Sequence, residues 1–293
     1  MGKVVWIIVL LVSCSFLAES QSFHAASRER SLILSCGVGT STYFGDLANS
    51  TSYITDEPNI NAGLQYFITN RISTRVELNW FTLEGSDKTA NAGLESRNLS
   101  FQSSNFELSA VAIVNLFRNG NRYYRRSGLN IYGFAGIGLT YFNPKARDPL
   151  TNELVSLQPL KTEGVSYSLV TPSIPFGLGV RLKVTPQVNL SIEGGWRKLF
   201  TDYLDDVSTT YPGVASFSED PLAARMSDRR ARSTGALGGI RGNPKNDDAY
   251  MLFNVKLEYY LPVNLSHISN NLKYYKKRKA NYRYNKKRGG IRR

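Results

Sequence analysis

Apolar and polar residues alternate with period two over much of the chain, the pattern of a strand with one apolar and one polar face. From Ile72 to Trp80, Ile72, Val76, Leu78 and Trp80 share one face, and Ser73, Arg75, Glu77 and Asn79 share the other. From Gln187 to Arg197, Val188, Leu190, Ile192 and Trp196 oppose Asn189, Ser191, Glu193 and Arg197. From Met251 to Tyr259, Met251, Phe253, Val255, Leu257 and Tyr259 oppose Asn254, Lys256 and Glu258. Five less regular segments read the same way: Ser31–Phe44, Asn59–Thr69, Asn105–Arg118, Leu129–Phe142 and Ser173–Val184. Gly133, Gly136, Gly138, Gly177 and Gly179 mark places where strands bend or approach closely. Each segment suits the roughly 9–11 residues that a tilted membrane strand needs.

The connections alternate in length. Asn70-Arg71, Asn119–Gly128 and Thr185-Pro186 are brief, whereas Gly45–Pro58, Thr82–Ser104, Asn143–Pro172 and Leu199–Tyr250 are long. Short periplasmic turns and long outward loops are the habit of outer-membrane barrels. Aromatic residues collect at the strand ends. Tyr43-Phe44, Trp80-Phe81, Tyr141-Phe142 and Trp196 are expected at the outer interface, and Tyr66-Phe67, Phe117 and Tyr259-Tyr260 at the periplasmic one. The pattern predicts an all-β fold, a transmembrane antiparallel up-and-down barrel of about eight strands in the outer membrane. No apolar run reaches the ~18 residues of a membrane helix, and lipid leaves no partner for an open sheet edge. An even strand number places both termini in the periplasm.

Composition adds an address and a tail. Lys3, the apolar run Val4–Val12 and the small-x-small site Ala18-Glu19-Ser20 read as a secretory signal peptide over residues 1–20. The rival reading takes Leu11-Val12-Ser13-Cys14 as a lipoprotein processing box with Cys14 lipidated. Cleavage at Ser20 leaves Cys36 alone, without a disulfide partner. A periplasmic segment over 21–30 precedes the barrel at 31–264. Residues 265–293 form a basic extension, expected to be disordered when free. Eleven basic residues and no acid lie between Ser266 and Arg293, so only +2 of the formal net charge of +13 belongs to the remainder. Within this tail Lys276, Lys277, Arg278, Lys279, Lys286, Lys287 and Arg288 are candidate contacts for an anionic partner. An exported chain meets little nucleic acid, so none is expected as a partner; outer-membrane lipid is.

Candidate chemistry is sparse. The two histidines, His24 and His267, lie outside the strands. A Ser–His hydrolase pair on the barrel is therefore not expected, nor a His/Cys metal site, and the chain reads as a non-enzyme without a cofactor. The inward-facing charges Arg75, Glu77, Glu107, Arg181, Lys183, Glu193, Arg197, Lys256 and Glu258 are expected to form an ion-pair plug in a narrow lumen. A small polar pore is the alternative. Asp202, Asp205 and Asp206 crowd one outer loop, without the Gly and terminal Glu of an EF-hand. They are expected to be structural, pairing with Arg225, Arg229, Arg230 or Arg232 of the same loop. Gly133–Gly138 lacks the GxGxxG order and lies within a strand pattern, so it reads as strand packing.

Several segments are distinctive as a set. They are Ser41-Thr42-Tyr43-Phe44-Gly45-Asp46-Leu47, Arg97-Asn98-Leu99-Ser100-Phe101, and Phe134–Gly138 running to Phe142-Asn143-Pro144-Lys145-Ala146. Leu157-Gln158-Pro159-Leu160 with Thr162-Glu163-Gly164, and Ile174–Gly179, follow. The last is Arg197-Lys198-Leu199-Phe200-Thr201-Asp202-Tyr203-Leu204-Asp205-Asp206-Val207-Ser208. From about Ser31 to Tyr260 the chain resembles the DUF6089 family of Bacteroidota outer-membrane barrels. The resemblance implies a barrel that serves the type IX protein secretion machinery and touches its periplasmic PorK–PorN ring; it supplies no binding residues. The alternative is a small porin or surface-ligand binder outside that complex. The basic tail departs from barrels that end at their last strand.

Overall fold

A computed structural model describes residues 32–48, 57–88, 95–120, 122–217, 220–230 and 239–261. The expected signal peptide at 1–20, the segment 21–30, Cys14, both histidines, Arg232 and the basic tail lie outside the described residues. Eight long strands build the wall: β1 (Leu32–Phe44), β2 (Glu57–Phe67), β3 (Ile72–Ser86), β4 (Ser100–Asn115), β5 (Leu129–Tyr141), β8 (Val170–Lys183), β9 (Val188–Leu199) and β10 (Ala249–Tyr260). Two short strands, β6 (Pro144–Arg147) and β7 (Leu154–Ser156), form a hairpin in the third outer loop and extend β4 through Gln102↔Lys145 and Ser103↔Pro144. Each wall strand pairs antiparallel with its neighbour, β1 pairs with β10, and β3 with β4, so the sheet closes on itself. The described residues contain no helix long and apolar enough to cross a membrane.

Closure turns the period-two pattern inside out relative to a soluble protein. Val38, Val76, Leu78, Leu108, Ile137, Leu178 and Leu257 project outward and stay exposed, while Ser35, Asn61, Gln65, Asn79, Asn130 and Ser191 are buried within. An apolar exterior around a polar interior is what a hydrocarbon surrounding selects. Two periplasmic turns share one device. Thr69 accepts the amides of Arg71 and Ile72 on its hydroxyl, at 3.2 and 2.9 Å, and Thr185 does the same for Gln187 and Val188 at 3.3 and 3.0 Å. Such side-chain-to-backbone bonds satisfy a tight turn that cannot join the ladder.

Two expectations change. First, β3 runs on to Ser86 and β4 begins at Ser100, so the second outer loop shrinks to 87–99. Above Trp80 the alternation reverses its meaning: Phe81, Leu83 and Phe101 turn inward, and Thr82, Glu84 and Gln102 outward. Here the strands have left the hydrocarbon, so water lies outside and an apolar core within. Second, each aromatic pair splits across the pleat. Phe44, Trp80, Tyr141, Tyr66 and Tyr259 take the outer face, while Tyr43, Phe81, Phe142, Phe67 and Tyr260 are buried inside. Phe44 packs on Trp196 at a centroid distance of 4.4 Å, part of the outer belt.

The β5–β8 ladder has a gap. Pairing passes from Ala135↔Phe176 to Gly138↔Ser173 without the two intervening steps. Pro175, which has no N–H to offer, lies in that gap.

A cation on the lipid face separates this fold from a water-facing barrel. Val76→Arg, in the apolar band, is expected to cost about 2–4 kcal/mol in denaturant unfolding of the vesicle-inserted barrel. Glu84→Lys, above the belt, should stay within about 0.5 kcal/mol.

Candidate functional site: the lumen and the outer cap

Four cations and four carboxylates fill the lumen, Arg75, Arg181, Arg197 and Lys256 against Glu77, Glu107, Glu193 and Glu258, all buried. They form three tiers. In the middle, Arg75 grips Glu193 through both terminal nitrogens at 2.5 and 2.9 Å and meets Glu77 through Nε at 2.8 Å. Lys256 bridges the same two carboxylates, at 2.6 Å to Glu193 and 2.8 Å to Glu77. The Tyr132 hydroxyl donates to Glu193 at 2.5 Å, and the Arg75 guanidinium lies 5.5 Å from the Phe134 ring centroid. Nearer the periplasm, Arg181 pairs with Glu258 at 2.6 Å and lies over Tyr132 at 4.5 Å. Asn189 and Ser191 donate to the same Glu258 carboxylate. Toward the outside, Arg197 approaches Glu107 at 3.5 Å, and Asn79 and Tyr250 donate to that carboxylate.

Of the nine expected lumen charges, Lys183 stands apart. Its ammonium donates to the Tyr124 carbonyl at 2.8 Å, at the periplasmic turn. A residue the pattern did not single out, Arg126, closes that end instead. Its guanidinium lies over Tyr260 at 4.7 Å and donates to Asn189 Oδ1 and to the carbonyls of Tyr123, Thr185, Pro186 and Val188.

The other end is shut by a cap made from all four outer loops. Its core joins strand residues (Tyr43, Phe81, Leu83, Phe101, Tyr250, Leu252) to loop residues (Leu47, Leu99, Phe142, Leu204, Val207). Leu204 and Val207 come from the Thr201–Ser208 run and are 0% and 1% exposed, so this run is the inner surface of the cap. Its acids serve as acceptors. Asp206, held at a φ of +67°, receives the hydroxyls of Thr162 and Tyr167 and lies 3.5 Å from Arg241. Asp205 receives the Tyr43 hydroxyl at 2.6 Å and the Val207 amide at 2.9 Å. Asp202 is half-buried, and burial pushes its carboxyl up to about 7.

The loop arginines are distributed otherwise than the sequence suggested. Arg225 pairs with Asp148 at 2.8 Å, Arg230 with Asp228 at 2.8 Å, and Arg229 donates to Ser100. The guanidinium that meets the acidic run is that of Arg241, which also grips Glu163 at 2.7 Å. Glu163 in turn accepts the amides of Ser208 and Thr209 at 2.9 Å each. Arg97 completes the arrangement with Asp87 at 2.6 Å and the carbonyls of Arg241 and Asp46. Arg241 stands between Ile240 and Gly242, with no charged residue beside it to mark it as a partner of the acidic run. Among the described residues no three His, Cys, Asp or Glu side chains are placed to hold a metal ion.

Five of the six segments that carry the family resemblance reach this cap, while Ile174–Gly179 lies in β8 of the wall. Tyr43, Asp46, Leu47, Arg97, Leu99, Phe101, Phe142, Thr162, Glu163 and Leu204–Val207 come from five separate stretches and are mutually packed or hydrogen-bonded there.

The model of the outer membrane protein beta-barrel domain family matches residues 7–213. No curated protein matches the chain. Among solved structures, Neisserial surface protein A is similar over 79% of this chain and 97% of its own, at 10% identity and a TM-score of 0.42. A major outer membrane protein of Thermus thermophilus is similar over 78% and 98%, at 11% identity and 0.40. The attachment invasion locus protein Ail of Yersinia pestis is similar over 78% and 96%, at 9% identity and 0.38.

The lumen network makes a sharp prediction. Glu193→Gln leaves Arg75 and Lys256 short of a counter-charge in a dry interior and should cost about 3–5 kcal/mol in urea unfolding of the refolded barrel. Lys183→Ala, at the rim, should cost about 1 kcal/mol or less.

Proposed function

Because the chain belongs to the outer membrane protein beta-barrel domain family and resides in the outer membrane, we propose that it is a non-enzymatic anchor or coupling element of the type IX protein secretion apparatus there. The observation that carries this reading is the convergence of five of the six DUF6089-like segments on one cap, above a lumen filled by paired charges. A wall closed at both ends suits a protein whose work is to hold a position rather than to pass solute. The barrel fixes the location, and the periplasmic turns and the basic tail supply the contact. The PorK–PorN ring is the proposed partner, met by Lys276–Lys279 and Lys286–Arg288 of the tail. Contact between a cationic tail and an acidic ring would weaken with salt.

Deletion of the gene, followed by assay of the culture fluid for type IX cargo, tests this function. Cargo should be retained in the periplasm, and a plasmid copy should restore export. Normal export in the deletion strain would overturn the reading. Truncation after Pro262 should reduce co-purification of the ring without loss of the folded barrel. The purified barrel should also be silent in planar bilayers, and steady ion conductance would favour a porin instead.

A further inference from the structure

Two carboxyl groups converge on one phenol at the base of the cap. The Tyr43 hydroxyl lies 2.6 Å from Asp205 Oδ2 and 3.0 Å from Asp248 Oδ1, and both aspartates are 1% exposed. Their other oxygens are occupied as acceptors: Asp205 Oδ1 takes the Val207 amide at 2.9 Å, and Asp248 Oδ2 takes the Leu204 amide at 2.9 Å. A phenol carries one hydrogen and can donate it once. It is spent on the nearer oxygen, so the second contact needs a hydrogen from Asp248 itself. Without that hydrogen, two anionic oxygens and a phenol lone pair would face each other in a dry interior, where an unmatched charge is costly.

Among the described residues no ion pair joins a cation to Asp205 or Asp248. The ionisable groups that face it are Tyr43 on β1, Asp46 in the first outer loop, and Asp202 in the loop of Asp205 itself. The cations of the cap are engaged elsewhere, Arg241 with Glu163 and Asp206, Arg97 with Asp87, and Arg229 with Ser100. Gly45 backs directly onto two of these groups: a Cβ there would stand 1.9 Å from the Tyr43 hydroxyl and 2.0 Å from Asp248 Oδ1.

We infer that Asp205 and Asp248 are a proton-binding pair, holding one proton between them through Tyr43, and that its loss as pH rises releases the Thr201–Ser208 run from the barrel mouth. Burial, followed by the neighbouring aspartates, holds both carboxyls well above the usual range, in keeping with this geometry. The sign follows from linkage. The closed cap binds one proton more than the open one at any pH above the ordinary aspartate range of about 3.9 and below the pair's own titration. Within that window acid favours closure, and each pH unit upward weakens the cap about tenfold.

Amide hydrogen exchange of the full-length barrel in nanodiscs, read as protection factors at Leu204 and Val207 across pH, tests the pair. Asp248→Asn is its control, because a carboxamide can donate to the Tyr43 oxygen and accept the Leu204 amide as the protonated acid does. Expected is a logarithmic slope of protection against pH one unit shallower in Asp248→Asn than in the wild type, whatever Asp202 and Asp206 add to both. Equal slopes would overturn the proposal. Should that variant fail to insert, infrared spectroscopy of the Asp202→Asn protein with 13C-labelled aspartate decides. A protonated aspartate carbonyl band should persist at pH 7 and vanish at alkaline pH together with the protection, and its absence at pH 7 would overturn the proposal.

Discussion

Hydrocarbon gives a backbone amide nothing to bond to, so a sheet that crosses it must have no free edge. The β3–β4 ladder, from Ile72↔Val114 to Ser86↔Ser100, helps complete the ring in which each wall strand has two neighbours. Much else follows from that closure. Eight tilted strands enclose a space that side chains can fill. Because the apolar positions face lipid, the filling has to be polar, and polar groups in a dry space have to be matched. The equal numbers of buried guanidinium or ammonium groups and carboxylates in the lumen are the consequence.

The two ends of the cylinder are resolved by different means. The periplasmic end is shut by one turn, with Arg126 reaching across to carbonyls on the β8–β9 side. The outer end is shut by a small hydrophobic core with its own charged frame, Arg97, Arg241, Asp87, Glu163 and Asp206. The upper parts of β3, β4 and β10 thus do two jobs in sequence, wall within the membrane and scaffold for the cap beyond it.

The wall was legible in the sequence because a period of two is local: eight residues suffice to reveal it. The strand count, the alternation of short and long connections and the inward charges of β3, β9 and β10 all come from that signal. The upper ends of β3 and β4 were not legible, because the same alternation continues through Phe81 and Leu83 with the opposite meaning. Only the position of the water boundary tells the two apart. Partner choice in the cap was less legible still. The contact between Tyr43 and Asp248 spans 205 positions, and that between Arg97 and Arg241 spans 144. Arginines close to the acidic run in sequence looked like its natural partners, yet the helix α1 (Pro221–Ser227), begun by Asp220 as its N-cap, carries Arg225 to Asp148 instead.

The splitting of the aromatic pairs makes one dipeptide an anchor in two directions. Phe44 holds β1 in the membrane boundary while Tyr43, one residue away, holds the lid; Trp80 and Phe81 divide the same duties on β3. The distance from the bilayer to the cap is therefore fixed on β1 and on β3 by a single peptide unit, with no hinge between. The strand-borne part of the cap cannot rise, sink or turn without carrying the wall with it, so the height of the barrel in the membrane and the seat on which the loops close are one mechanical variable. A one-residue insertion below such a pair would exchange the two rings, and strand and cover would lose their footing together.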